Sequence, residues 1–124
     1  MKDRVQDVIS SIAIPHSEWG SFLSRFNSRH HGWLVRLETY DRETRERVTS
    51  HELPLKSIEL DLEDEKHPRI NVSVFLDNKV IKHILYQPSE LVLLSFDHQG
   101  EQALHVQSVN TETILRFRAH AAGD

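Results

Sequence analysis

The stretch Pro15–Tyr40, PHSEWGSFLSRFNSRHHGWLVRLETY, decides the fold. Its first half repeats with the period of a helix and its second half with that of a strand. Trp19, Phe22, Leu23 and Phe26 stand at i, i+3, i+4 and i+7, so one helical stripe carries four large apolar side chains. Pro15 and Ser17 mark the start, Ser17 as candidate N-cap and Glu18 as an acidic first-turn residue. Arg29, His30 and His31 crowd the last turn, where positive charge suits the helix dipole. Gly32 follows at the position where a left-handed residue ends a helix. Gly20, inside the helix, costs about 1 kcal/mol relative to Ala, and is expected to mark a close approach of another backbone. After Gly32 the period becomes two. Trp33, Val35 and Leu37 alternate with Leu34, Arg36 and Glu38, so residues 33–40 read as a strand.

Downstream the chain repeats that second pattern. Asp41–Glu46 is an all-polar turn, and Val48 begins a return strand towards Leu53, with Pro54 expected to break or edge it. Ile58, Leu60 and Leu62 alternate with Glu59, Asp61 and Glu63. After His67-Pro68, the run Ile70, Val72, Val74, Leu76 alternates with Arg69, Asn71, Ser73 and Phe75. Asp77-Asn78 is a tight-turn signal, Asn being tolerant of positive φ. Strands are expected at 80–86, 91–97, 102–109 and 113–118. Their separators are Gln87-Pro88-Ser89, Asp97–Gly100 and Asn110–Glu112. Short links favour antiparallel neighbours. The expected class is α+β, mainly β: one N-terminal amphipathic helix packed on a curved seven- or eight-stranded antiparallel meander or small barrel. No helical crossovers separate the strands, which excludes a parallel nucleotide-binding fold.

Length and composition set the frame. The 124 residues make one domain over 1–124, with 1–13 as an N-terminal extension and 119–124 as a frayed tail. Lys2 and Arg4 precede a short apolar stretch, but Asp3 and Asp7 interrupt the start and Pro15-His16 replaces a small-residue cleavage site, so no signal peptide is read there. Fifteen Lys and Arg against nineteen Asp and Glu give a net charge of −4, which argues against a nucleic-acid module held by phosphate contacts. Cysteine is absent, so disulfides, thiol nucleophiles and Cys-based zinc sites are excluded, and a reducing cytoplasm is expected. No apolar run approaches the roughly 20 residues that span a bilayer, so no membrane is expected.

Ile14-Pro15, Glu18-Trp19, Phe22, Phe26, Arg29-His30, Gly32-Trp33-Leu34-Val35 and Glu38 resemble the pattern of a family of small bacterial proteins, the domain of unknown function 5335. Leu53-Pro54-Leu55 and Arg116-Phe117-Arg118 are similar to it as well. The resemblance runs from about Ile14 to Arg118. It implies a single-domain bacterial protein and brings no activity, cofactor or catalytic residue with it.

Histidine is the unusual component, with nine residues. Imidazole titrates near neutrality and ligates metals. No H-x-x-x-H or H-x-x-E-H pair occurs, and the adjacent His30 and His31 point about 100° apart on a helix. No metal, cofactor or catalytic set is therefore assigned. The candidates for proton transfer are His30, which continues the apolar stripe, with Glu38 on the next strand within reach of it, and His83. His83 faces the core if Ile81 and Leu85 do. If Val80, Ile84 and Tyr86 do, Lys82 is the inward polar group. The acidic run Glu59–Glu65 lacks calcium-loop spacing and reads as a solvated face. Arg25, Arg29 and Arg36 lie near the helix–strand junction, and Arg42, Arg45 and Arg47 on one hairpin, where Glu43 and Glu46 interleave them.

The expected function is a non-enzymatic binding or assembly module, self-associating or binding another protein through an edge strand or open barrel mouth. The rival is a small enzyme or ligand-binding barrel. It would use a His/Glu pair in a helix-capped pocket that takes a small molecule. Binding of RNA to the sheet face is the third reading, against which stands the lack of a basic cluster around Phe75, Tyr86 and Phe96.

Overall fold

The computed structural model describes residues 8–96 and 101–119, except for the side chains of residues 48–51. The expected turn Asp97–Gly100 lies outside the described residues, as does the tail beyond Ala119. Eight strands form one antiparallel sheet: β1 (Val8–Ala13), β2 (Leu34–Asp41), β3 (Arg47–Asp61), β4 (Arg69–Leu76), β5 (Lys79–Tyr86), β6 (Glu90–Phe96), β7 (Gln102–Gln107) and β8 (Thr111–Arg118). A 3₁₀ turn at His16–Glu18 leads into the single helix α1 (Trp19–His30).

The strand order is β1-β6-β7-β8-β2-β3-β4-β5. Two meanders are joined where β8 pairs with β2 from Leu34↔Arg118 to Asp41↔Thr111. Strands β1 and β5 are the two edges, so the sheet is not closed. Only Gln87, Pro88 and Ser89 link β5 to β6, although the two lie far apart in the pairing order. A link that short requires the sheet to curl until its ends approach. Val109 N–H accordingly reaches Tyr86 O at 3.3 Å, and Ser89 N–H reaches Gln107 O at 2.7 Å.

The curl gives the sheet a concave face, which α1 fills. Period-two alternation places Val35 and Leu37 of β2 opposite Phe117 and Leu115 of β8 on that face. Leu55, Ile58, Ile70, Val72, Leu104 and Val106 join them, each 0–1% exposed. Trp19, Leu23, Phe26 and His30 of α1 complete the core. Trp19 Nε1–H also donates to Ile14 O at 2.7 Å, fixing the approach to the helix.

Several expectations need correction. Ser17 is not the N-cap: it lies inside the 3₁₀ turn, and Glu18 precedes the helix without a side-chain cap. Gly20 meets no close backbone, since a Cβ built there finds nothing within 4 Å. Asp77, not Asn78, takes the positive φ, at 56°. Pro54 does not end its strand. β3 runs through it for fifteen residues, pairing with β2 as far as Pro54 and with β4 from Leu55 onward. Proline is tolerated there because the strand is changing partners. Within the stretch 1–13, read as an extension, residues 8–13 form β1 on the β6 edge.

Beyond Pro54, α1 takes over from β2 as the neighbour of β3. Asn27 bonds both backbone groups of Ile58, and Gly32 N–H donates to Leu55 O at 3.0 Å. Gly32 has φ +81°, the left-handed conformation expected of it.

Candidate functional site

The three histidine and glutamate candidates occupy three different places. His30 is in the core, 4% exposed, on the last turn of α1. Its Nδ1–H donates to Phe26 O at 2.8 Å, because a carbonyl can only accept. Its Nε2 meets Gln102 Oε1 at 3.0 Å. The ring lies flat on Phe26, with centroids 3.8 Å apart, and meets Trp33 edge-on at 4.5 Å. His30 is thus held on four sides.

Glu38 is on the opposite face of the sheet. Val35 and Leu37 point to the concave side, so Glu38 points to the convex side. Its carboxylate, 8% exposed by residue, accepts from Tyr40 Oη at 3.0 Å and from Arg36 Nε at 2.9 Å. The structure does not bring His30 and Glu38 together. Burial pushes the Tyr40 phenol above its ordinary pKa of 10.0, and the Glu38 hydrogen bond and charge add to that. Beside this pair, His105 Nε2 stands 2.8 Å from Glu112 Oε2, and Tyr40 is directly opposite Glu112 in the β2–β8 register. Glu112 also faces Arg45 Nη2 at 3.6 Å, so each carboxylate of this convex cluster already has an arginine beside it.

His83 points to the concave side with Ile81 and Leu85, opposite Val72 of β4. That resolves the two alternatives for β5 in favour of the first. His83 forms a wall shared by two clefts. One, of about 290 Å³, runs between β5 and the β7–β8 turn and is lined by Leu37, Thr39, Leu85, Ser108 and Thr111 among others. The other, about 210 Å³, lies against Leu53, Leu76 and Ile81. The Ser108 hydroxyl is buried and has no hydrogen-bond partner among the described residues.

A third cleft, about 220 Å³, opens between α1 and the β6–β7 pair. Phe22, Phe26 and Leu93 form its apolar wall, and Arg25, Arg29 and Gln102 its polar rim. His30 lines the cleft as well. Sequence reading missed Gln102. Its only signal is a polar residue at an inward position of β7, in line with Leu104 and Val106.

The two sheet edges differ chemically. β5, KVIKHILY, exposes Lys79 and Lys82. β1, VISSIA, carries no charge and no proline, and exposes Val8 by 50%, Ile9 by 64% and Ile12 by 52%. Among the described residues no group of His, Asp and Glu could hold a metal ion.

The model of a family of unknown function, DUF5335, matches residues 10–124. That match spans nearly the whole chain, and the chain belongs to this family. Neither the curated proteins nor the solved structures yield a match to it.

Proposed function

We propose that this DUF5335 member is a non-catalytic assembly module that pairs with a second copy of itself through β1. The contrast between its two edges carries the reading. An unpaired edge strand presents a row of N–H and C=O groups that template another strand, and proteins guard such edges with lysine, proline or bulges. β5 has its lysines. β1 has one register shift, between Val8 and Ser10, and then a regular ladder over Ser10–Ala13 with exposed apolar neighbours. A two-fold axis through that ladder sets β1 antiparallel to its copy, which continues the order of the whole sheet. An uncharged strand meets its copy without like-charge repulsion.

Amide hydrogen exchange tests this. The outward-facing amides of β1 should exchange more slowly as protein concentration rises, while those on the outer side of β5 should not change. Exchange in β1 that is independent of concentration contradicts the reading.

A second reading, a ligand-binding groove beside His83, draws on the Ser108 hydroxyl, which is buried without a partner among the described residues and belongs to a residue that lines the same cleft. A neutral polar molecule that stabilises the protein, but not its Ser108→Ala variant, would favour that groove over an assembly role.

We also place the protein in the bacterial cytoplasm, on its lack of cysteine and the resemblance of its motifs to small bacterial proteins. Among the described residues no helix is long and apolar enough to cross a membrane.

A further inference from the structure

We propose that the cleft between α1 and the β6–β7 pair binds a small carboxylate carrying an apolar body. This site is separate from the β1 edge and does not rest on the assembly reading.

Charge complementarity is the first argument. Arg36, Arg45, Arg69 and Arg118 each have a carboxylate partner. Arg42 donates to Ser108 O, Arg116 lies over the Phe96 ring and Arg47 acts on the Tyr40 phenol, whereas Arg25 and Arg29 have no partner among the described residues, although the chain is acidic overall. The helix dipole accounts for a cation in the last turn, where Arg29 stands. It does not account for Arg25, placed one turn earlier at i, i+4. Two like charges at that spacing oppose helix formation. Both guanidinium-bearing residues line the same cleft.

The polarity of the rim is the second argument. Gln102 is hydrogen-bonded to His30 Nε2 at 3.0 Å, so its carboxamide is committed to that ring. His30 has both ring nitrogens engaged, so it offers the cleft no acceptor. The charge of the polar rim therefore comes from two guanidinium groups, with no carboxylate among the described residues of the lining. A planar carboxylate takes paired N–H donors from arginine in a fork geometry.

Size and wall give the rest of the ligand. Phe22, Phe26 and Leu93 supply an apolar surface beneath the donors. A volume of about 220 Å³ lies below the roughly 300–1,000 Å³ of pockets for drug-sized ligands. A single ring or a short chain bearing one carboxylate fits that description. The carboxylate can belong to a free small acid or to the C-terminus of a protein chain.

The test is titration of the whole protein with benzoate, followed by ¹H–¹⁵N NMR. Benzamide, inorganic phosphate and a short peptide ending in a free phenylalanine carboxylate are run beside it. Benzoate should shift the Gln102 side-chain amide and the Arg25 and Arg29 Nε–H signals saturably, and benzamide and phosphate should not. Each of Arg25→Gln and Arg29→Gln should weaken benzoate about tenfold, the worth of one charge-assisted contact. Both arginines are exposed, so the variants should keep the spectrum of the folded protein. Tighter binding of the peptide than of benzoate assigns the site to a chain terminus, and the reverse assigns it to a free acid. The proposal falls if benzoate gives no saturable shift, if benzamide or phosphate matches it, or if both single variants bind benzoate unchanged.

Discussion

Asn27 closes a two-way hydrogen bond with the backbone of Ile58. Its Nδ2–H donates to Ile58 O at 2.7 Å, and its Oδ1 accepts from Ile58 N–H at 2.7 Å. The carboxamide thereby imitates the missing neighbour of β3. Past Pro54 no strand among the described residues lies on that side, and the N–H and C=O of Ile58 would otherwise face the helix without partners.

Replacing Asn27 by Ala should therefore cost about 2 kcal/mol, since it leaves one donor and one acceptor unmatched at about 1 kcal/mol each or more. Asn27→Asp keeps the acceptor and loses the donor, so its cost should be comparable. Urea denaturation measures both. A loss under about 0.5 kcal/mol in Asn27→Ala, the range of ordinary surface changes, would mean that water replaces the carboxamide at no cost.

Gly20 and Gly32 should respond in opposite directions to alanine. Gly20 is helical, and a Cβ there meets open space, so Gly20→Ala should stabilise by about 0.5–1 kcal/mol. Gly32 has equally open surroundings but φ +81°, so Gly32→Ala should destabilise by about 1 kcal/mol through the backbone alone. Thermal melts of the two variants against the parent protein measure this. The same sign in both would contradict the conformational account.

Stability should fall in acid for a specific reason. The Arg118 guanidinium, in two contacts of 3.2 Å, holds the Glu52 carboxyl below its ordinary 4.5. The Glu63 backbone N–H, then Asn71 and Arg69, hold Asp61 below 3.8. Folded carboxyls that bind protons more weakly than unfolded ones add stability above the unfolded value. They lose it as pH falls through the folded one. Melting temperature should thus be steady near neutrality and decline below about pH 4.5, and Glu52→Gln should flatten part of the decline. An unchanged slope in Glu52→Gln would show that the Arg118 contact does not persist in solution.

At the alkaline end the sign reverses. The raised Tyr40 pKa means that the unfolded chain ionises first as pH climbs past 10, so folding weakens there. Tyr40→Phe should lose part of this alkaline decline. A decline identical in the variant would place its cause elsewhere.

The helix, β2 and β4 were legible from the period of their side chains, β5 to β8 from the polar separators between them, and β3 only as two pieces either side of Pro54. Val35, Leu37 and Glu38 fell on the sides that alternation assigns them. β1 was harder to read. Its apolar residues at 8, 9 and 12 break alternation, and the register shift between Val8 and Ser10 is the structural reason. Pro54 was misleading because sequence cannot show a strand that exchanges one partner for another at that residue. The pairing of β8 with β2 was not legible either, since link lengths do not specify which meander ends meet. The site suffered most. Glu38 was placed near His30 by chain proximity, yet sheet alternation puts them on opposite faces. The true partner, Gln102, lies 72 residues away, beyond the reach of any local pattern.

The most direct test of assembly through β1 is the solution mass, by light scattering on a sizing column, of the parent protein and of Ile12→Lys. Ile12 is half exposed, so lysine there should leave the fold intact while charging the strand that meets its copy. Twice the chain mass for the parent and a single-chain mass for Ile12→Lys is the predicted result. A parent protein that runs at the mass of one chain across the accessible concentrations, or an Ile12→Lys variant that stays dimeric, would contradict the account.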